Sequence, residues 1–374
     1  MSDYLAPVEI APGTYWVGKR DPESIFHANP YLRVFHGTDK KTGKPNQFNL
    51  LIDPGSPSDF AIVSTKVAQV IGNMNRVSAL FINHQDPDVG ASAPMVMARY
   101  APKAHIVCSE DTWRLVVHQG LPRDRFIATE KATSRGLALP TGHIIKPVPT
   151  PYCHFRGAVM LYDPETRVLF TGDLFGGLTE ATADGLYADE SDWKGMRAFH
   201  QIYMPAGAAI RRAVQQIRKL DPAPEILAPQ HGRVIRGAYV AEFMHRLENL
   251  PCGVDILDED DKESLDAWNH VLSRVLDLAK QLLGSLAEAR LADSAVLQDT
   301  LSFDGGRIQI TSLGRWTIER ALEALTARER AAVTNVLRME ALTAADQLGL
   351  PTPRIELEEG EDTESEPSEL VGYA

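Results

Sequence analysis

The sequence predicts an α/β (α+β) protein, with mixed sheets covered by helices and a mostly helical segment appended toward its C-terminal end. Three observations predict it. Short β-rich runs alternate with helical stretches from Thr14 onward. The run Val77 to Asn83 (VSALFIN) is almost continuously apolar, which suits a strand covered on both faces. After Pro251 the pattern turns to amphipathic helices.

The elements follow in order. TYWVG, YLRVFHG and FNLLIDPG read as strands, punctuated by Gly, Pro and Asp, with DKKTGKPN as a polar turn. Helices are expected over 58–73 and 90–100 and at TWRLVVHQG, and HIVCS forms a strand between the last two. Three strands follow, HIIKPVPTP, GAVMLYD and RVLFTGD. An irregular segment then leads to a helix over 208–220 and the short strand EILAPQHG.

Beyond Pro251 the acidic VDILDEDDKES reads as a linker. From Leu265 apolar residues recur at Trp268, Leu272, Val275, Ala279, Leu282 and Leu286, three and four apart, as in a heptad seam. This seam is a core face, and the helical segment also offers a surface for dimerisation. TLSFDGGRIQIT reads as a hairpin turning at Asp304-Gly305-Gly306. Thr326 and Glu329 have the spacing of a capping box opening the last of two further helices. The domain expectation is a site-bearing domain over 1–250, a linker over 251–262, a helical domain over 263–350 and an acidic, disordered tail over 351–374.

Bulk properties exclude several classes. The formal charge of −12 argues against nucleic acid or an anionic membrane held by bulk electrostatics. Seven of those charges fall between Arg354 and the end, so the rest of the chain is only mildly acidic. Three cysteines, Cys108, Cys153 and Cys252, lie far apart with no CxxC pair. A disulfide framework is not expected, and a reducing cytoplasm is. The N-terminal stretch lacks the pattern of a signal peptide, and no apolar run approaches the roughly 18 residues of a membrane span.

The segment His84-Gln85-Asp86-Pro87-Asp88 carries the most chemical information. It follows a buried strand at its C-terminal end, where sites in sheets of this kind gather. Three potential ligands at alternate positions of a turn stiffened by proline can point into one cavity. His154, Asp173 and His231 stand at or just beyond other strand ends. Three imidazoles and three carboxylates, with no thiolate, suit iron, manganese or zinc. Three carboxylates carry −3, which two cations with an oxo or hydroxo bridge would balance. Taken singly, Asp173 reads as a turn former and His231 as a loop residue. The remaining histidines read as surface or structural, with His200 near Tyr203 the one that could approach the site.

These residues bring a resemblance with them. Asp53-Pro54-Gly55, the His84 segment, His154, Thr171-Gly172-Asp173 and His231-Gly232 resemble the metallo-β-lactamase superfamily over nearly two thirds of the chain, from Thr14 to about Met244. The resemblance implies a four-layer αββα sandwich. The zinc hydrolases of that superfamily carry H-x-H-x-D-H, and this chain has Asp86 and Val89 at the second and last of those positions. A carboxylate at the first of the two is similar to the flavodiiron branch, whose members reduce oxygen or nitric oxide using FMN in an attached flavodoxin domain. No glycine-rich phosphate loop follows a strand after Pro251, so no FMN domain is expected here. The HQDPD segment resembles the oxygen-binding diiron proteins, relatives without flavodoxin.

By this resemblance one iron is held by His84, Asp86 and His154, the other by Asp88 and His231, and Asp173 bridges both. Val89 leaves an open position on the second iron. The implied function is a cytoplasmic diiron protein that binds, or slowly reduces, O₂ or NO, as a sensor or scavenger with a signalling or redox partner. Two alternatives stay open. One is a dinuclear hydrolase of phosphodiesterase or lactonase type, with zinc or manganese. The other is a non-catalytic module that signals through its C-terminal helices.

Overall fold

The computed structural model describes residues 6–20, 24–39, 42–180, 183, 185–259, 262–304 and 307–358. It divides into two compact units, Met1–Gly253 and Val254–Ala374.

The first unit is built on two sheets. One runs in chain order through β1 (Val8–Ala11), β2 (Thr14–Trp16), β3 (Tyr31–Thr38), β4 (Pro45–Ile52), β5 (Ala79–Phe81), β6 (His105–Cys108) and β7 (Phe126–Ala128). Its first four strands are antiparallel, and β4 to β7 run parallel. The other contains β8 (Leu137–Ala138), β9 (Ile144–Pro149), β10 (Val159–Asp163), β11 (Val168–Gly172), β12 (Ile226–Pro229) and β13 (Ile235–Arg236), in the spatial order β13-β12-β11-β10-β9-β8. Strands β9, β11 and β12 share one direction, because β10 is antiparallel to both its neighbours and β11 is parallel to β12.

The two-residue period of a strand sends alternate side chains to opposite faces, and each face finds a partner. Leu50, Ile52, Ala79, Phe81 and Val107 of one sheet meet Val159, Leu161, Val168, Phe170 and Ala228 of the other in a core between the sheets. The intervening Leu51, Leu80 and Ile106 pack outward with α1 (Phe60–Ile71). On the opposite side Met160, Tyr162, Leu169 and Leu227 pack outward with α5 (Asp192–Tyr203), α6 (Gly207–Arg218) and α7 (Ala238–Glu248). The result is a four-layer αββα sandwich in which both sheets are apolar on both faces. Each large side chain so buried contributes about 1.5–3 kcal/mol. One buried ion pair crosses between the sheets: Arg33 Nε of β3 donates to Asp163 Oδ2 of β10 at 2.7 Å.

Several helices differ from expectation. The stretch expected as one helix over 90–100 is broken into α2 (Pro87–Gly90), α3 (Ala93–Met95) and a π turn over Val96–Tyr100. Prolines at 87 and 94 enforce the restarts, because a proline donates no backbone hydrogen bond. The helix α4 (Glu110–Val116) is capped by the side chain of Ser109. The segment expected to be irregular contains α5 (Asp192–Tyr203), ahead of α6 (Gly207–Arg218), and α7 (Ala238–Glu248) follows the last strand.

The second unit holds α8 (Val254–Glu259), α9 (Lys262–Leu283), α10 (Leu286–Ala292), the hairpin β14 (Leu301–Asp304) with β15 (Arg307–Ile310), α11 (Gly314–Thr326) and α12 (Ala331–Gln347). The segment 251–262, expected as a linker, is thus partly helical. The hairpin's expected turn residues Gly305 and Gly306 lie outside the described residues. Trp268, Leu272, Val275 and Ala279 of the expected seam are buried, whereas Leu282 and Leu286 are exposed. The helix ends between those two, so the stripe has no continuous face to extend along. The capping box is not formed: Thr326 belongs to α11, where its Oγ1 donates to Leu322 O, and α12 begins after Arg330. Glu329 instead pairs with Arg290. Gly314 lets α11 approach α9, since a Cβ there would stand 2.1 Å from the Trp268 ring. Residues of the tail expected to be disordered are tied down as far as Glu358, whose backbone exchanges two hydrogen bonds with the Asn335 side chain. The remainder, 359–374, lies outside the described residues.

Candidate metal centre

Sheet direction explains why the candidate ligands meet. His154 follows β9, Asp173 follows β11 and His231 follows β12, so three parallel strands deliver their ends to one edge. His84 follows β5 of the facing sheet. The sheets are tied at that edge by Asn83, whose backbone oxygen accepts from Val159 N and whose Nδ2 donates to Val159 O at 2.6 Å. Asp86 is the N-cap residue of α2, and Asp88 lies in the first turn of that helix.

All six candidate residues converge. The Nε2 atoms of His84 and His154 lie 3.6 and 3.3 Å from Asp173 Oδ2. Both face Asp86 Oδ2 as well, at 3.5 and 3.1 Å. The other carboxylate oxygen, Asp173 Oδ1, lies 3.5 Å from His231 Nε2, which also stands 3.4 Å from Asp88 Oδ2. Asp173 thus presents one oxygen to each of two donor groups. His84, Asp173 and His231 are buried, while His154, Asp86 and Asp88 are between 21% and 33% exposed, which marks the open side of the site.

Neighbouring groups orient the imidazoles. Asn83 Nδ2 donates to a carbonyl, so its Oδ1 is the acceptor for His84 Nδ1–H at 2.9 Å. His231 Nδ1–H donates to His27 O at 2.8 Å. Both rings therefore turn the Nε2 lone pair inward, as a metal ligand requires. Gly172 allows the Asn83 contact: its φ is +59°, and a Cβ there would stand 2.2 Å from the Asn83 amide.

The donor set suits a pair of cations. His84 Nε2 and Asp173 Oδ1 are buried with no hydrogen-bond partner among the described residues. Unpaired buried atoms of this kind are costly unless an ion satisfies them. Charge points the same way. Burial by itself would depress His84, but Asp173, Asp86 and Asp53 raise it to about 9. Burial favours the neutral acid of Asp173, yet His84, His231 and His154 hold it down to about 2. His231 is likewise raised against its burial, by Asp173 and Asp88. Asp86 is lowered, first by the His154 and His84 rings that face its carboxylate. The carboxylates thus favour positive charge at the centre of the cluster, where a proton on His84 stands in for a cation and would be displaced by one entering.

Of the other residues near the site, Phe26 and Phe199 left no mark in the sequence pattern, and Asp53 entered it only through the Asp53-Pro54-Gly55 resemblance. Asp53 is buried behind His84, accepts from Asn83 N at 2.8 Å, and is raised to about 7 by burial. The Phe26 ring lies over His231, with centroids 4.2 Å apart, and Phe199 and Tyr203 extend this apolar roof toward His154. His200 does not face the site. It is fully buried in α5, accepts from Phe175 N at Nε2 and donates from Nδ1 to Met196 O. It braces the turn that follows Asp173. Cys153 is buried, and Val89 packs in the outer apolar core.

Comparisons with known proteins bear on this geometry. A family model described as "ODP family beta lactamase" matches residues 26–232, more than half of the chain. This chain belongs to that family of metallo-β-lactamase-fold proteins. A nitric oxide reductase of Moorella thermoacetica is 25% identical over 246 residues, 62% of this chain and 58% of that protein. The type A flavoprotein of Rhodobacter capsulatus is 26% identical over 249 residues, 62% of this chain and 52% of that one. The chain therefore spans little more than half the length of these relatives. Among solved structures, the apo chemotaxis sensor ODP from T. denticola superposes with a TM-score of 0.55 at 24% identity, covering 68% of this chain and 97% of that one. The rubredoxin oxygen:oxidoreductase of Desulfovibrio gigas gives a TM-score of 0.56 at 18% identity over 72% of this chain and 68% of that one. These likenesses show the fold.

Proposed function

We propose that this chain is a non-haem diiron protein that binds dioxygen or nitric oxide and acts as a sensor or scavenger. The observation that carries the reading is the buried Asp173 carboxylate, with one oxygen toward His84 and His154 and the other toward His231. In this reading His84, His154 and Asp86 would hold one iron, His231 and Asp88 would hold the other, and Asp173 would contribute an oxygen to each. When bound, the two irons supply the redox electrons and an open coordination position for the small ligand. The protein supplies the remainder. Asn83 and the His27 carbonyl hold the buried imidazoles in their ligating tautomers. Phe26, Phe199 and Tyr203 cover the His231 side with apolar surface, which favours a small uncharged ligand over a bulky ester or an anion.

The names of relatives support the same reading. They include nitric oxide reductases and a chemotaxis sensor solved as a peroxy diiron species. Three buried cysteines, none of them in a disulfide, support a reducing cytoplasm, and no helix among the described residues is long and apolar enough to cross a membrane. We include in the proposal a homodimer and a signalling or redox partner, to be sought by sedimentation and co-purification. The site domain is proposed to end near 250, with the helical segment as a separate domain.

Metal analysis and an anaerobic-to-aerobic optical titration of protein grown with iron test the reading. Two irons per chain and a new near-ultraviolet or visible band on adding O₂ are expected. Reversal of the band under vacuum separates binding from reduction. Two zincs, no band and hydrolysis of a model phosphodiester or lactone would overturn the proposal in favour of a hydrolase.

A further inference from the structure

We infer that Gln85 is a positioning residue that restricts Asp86 to ligation through a single oxygen and so makes the two metal positions unequal. The inference rests on the diiron reading above. Gln85 Nε2 donates to Asp86 Oδ1 at 2.7 Å. The other oxygen, Oδ2, is the one that faces His154 and His84. The two oxygens of one carboxylate are thus divided between an amide and the metal position.

The backbone prepares this division. Asp86 O accepts from Val89 N and Gly90 N at 3.1 Å each, so the start of α2 pins the main chain of Asp86. Only the side-chain torsions remain to be set, and the Gln85 amide sets them. Gln85 Oε1 is buried with no hydrogen-bond partner among the described residues, so the hydrogen bond the amide donates is what places it. Asp88 differs. Among the described residues its carboxylate receives no side-chain amide, and its contact in the site is Oδ2 to His231. Gln230 donates to the Asp88 backbone carbonyl and leaves the carboxylate alone.

The chemical consequence follows from donor capacity. A carboxylate oxygen that accepts a short N–H bond is a poorer metal donor on that side, so chelation by both Asp86 oxygens is disfavoured. Asp88 remains able to chelate. The His84–His154–Asp86 position therefore gains nothing from a second Asp86 oxygen and depends on Gln85 for its geometry. Outer-shell partners of metal ligands typically change affinity by about 10–100-fold when removed.

The test uses the full metal-free chain, titrated anaerobically with Co²⁺ as the optical probe and with Fe²⁺ against a competing chelator. Gln85→Met is expected to weaken one of the two binding steps by about 10–100-fold while leaving the other nearly unchanged. The cobalt d–d absorption of the weakened position should lose intensity, because Asp86, once released, chelates and raises the coordination number. A merely structural role would instead lower the metal-free melting temperature and leave the cobalt spectrum as it was. If Gln85→Met does not fold, Gln85→Glu keeps the size, replaces the donor with an acceptor and reads the same two quantities. Unchanged affinity and spectrum, with two ions bound, would overturn the role of Gln85 alone. Fewer than two ions in the wild type would overturn the diiron reading and this inference together.

Discussion

His200 offers a prediction whose size can be worked from the structure. Its ring is enclosed in the helical layer, with Nε2 accepting from Phe175 N and Nδ1 donating to Met196 O. Both nitrogens are committed in the neutral form, and protonation would place a charge in an apolar core and break the Phe175 bond. Burial accordingly depresses its pKa from 6.5 to about 4, against smaller opposing effects of Met196 O and Asp173. Because the folded value lies below the unfolded one, the unfolded chain takes up the proton first as pH falls. The stability due to this group is whole above pH 6.5 and is lost progressively down to about pH 4. At 1.36 kcal/mol per unit, the loss is about 3 kcal/mol. The assay is urea unfolding of the metal-free full chain at a series of pH values, for wild type and His200→Gln. The variant starts less stable, and the quantity read is the difference between the two proteins against pH. That difference should shrink by about 3 kcal/mol between pH 7 and pH 4. A constant difference across that range would refute the assignment of a neutral, structurally committed His200.

Further outcomes follow from the same structure. Asp173→Asn keeps the shape of the side chain proposed to bridge but removes its charge, and metal analysis should show fewer than two metals per chain; full retention would rule out bridging. Arg33→Met leaves Asp163 buried without its partner, which should cost about 3–5 kcal/mol. Calorimetry should show the melting temperature falling on the order of 10 °C, whereas a loss near zero would mean that the pair does not join the sheets. Gly172→Ala places a methyl group in the Asn83 amide at a positive φ, so chelator competition should show weakened metal binding. Urea unfolding of the same variant should show a loss above about 1 kcal/mol.

Some of this protein is written in short-range pattern. Apolar strands that end in His or Asp made the six candidate ligands legible, because a strand end and its ligand are neighbours in the chain. The HQDPD segment is legible for the same reason, since alternate positions of one turn share a direction. The heptad seam from Leu265 was legible only in its middle, because the spacing carries no sign of where the helix stops. The capping-box spacing misled for a related reason: Thr326 Oγ1 found a carbonyl within its own helix, a competing local bond that the sequence does not exclude.

Other features were settled only by the tertiary structure. The carbonyl that orients His231 belongs to His27, 204 positions earlier in the chain. The ring that covers His231 comes from Phe26, and Arg33 finds Asp163 across 130 positions. α5, which supplies Phe199, His200 and Tyr203, was not legible as a helix at all. The sequence alone determined most of the longer strands, the candidate ligands at or beyond their ends and the resemblance to a diiron sandwich, because each is encoded in residues near one another along the chain; the short edge strands β1, β7, β8 and β13 carried no such pattern. The tertiary structure decided which oxygen of each carboxylate faces which imidazole, what holds each ring and what roofs the site. Those contacts join residues that no periodicity relates, and they form only when two sheets close on a common edge.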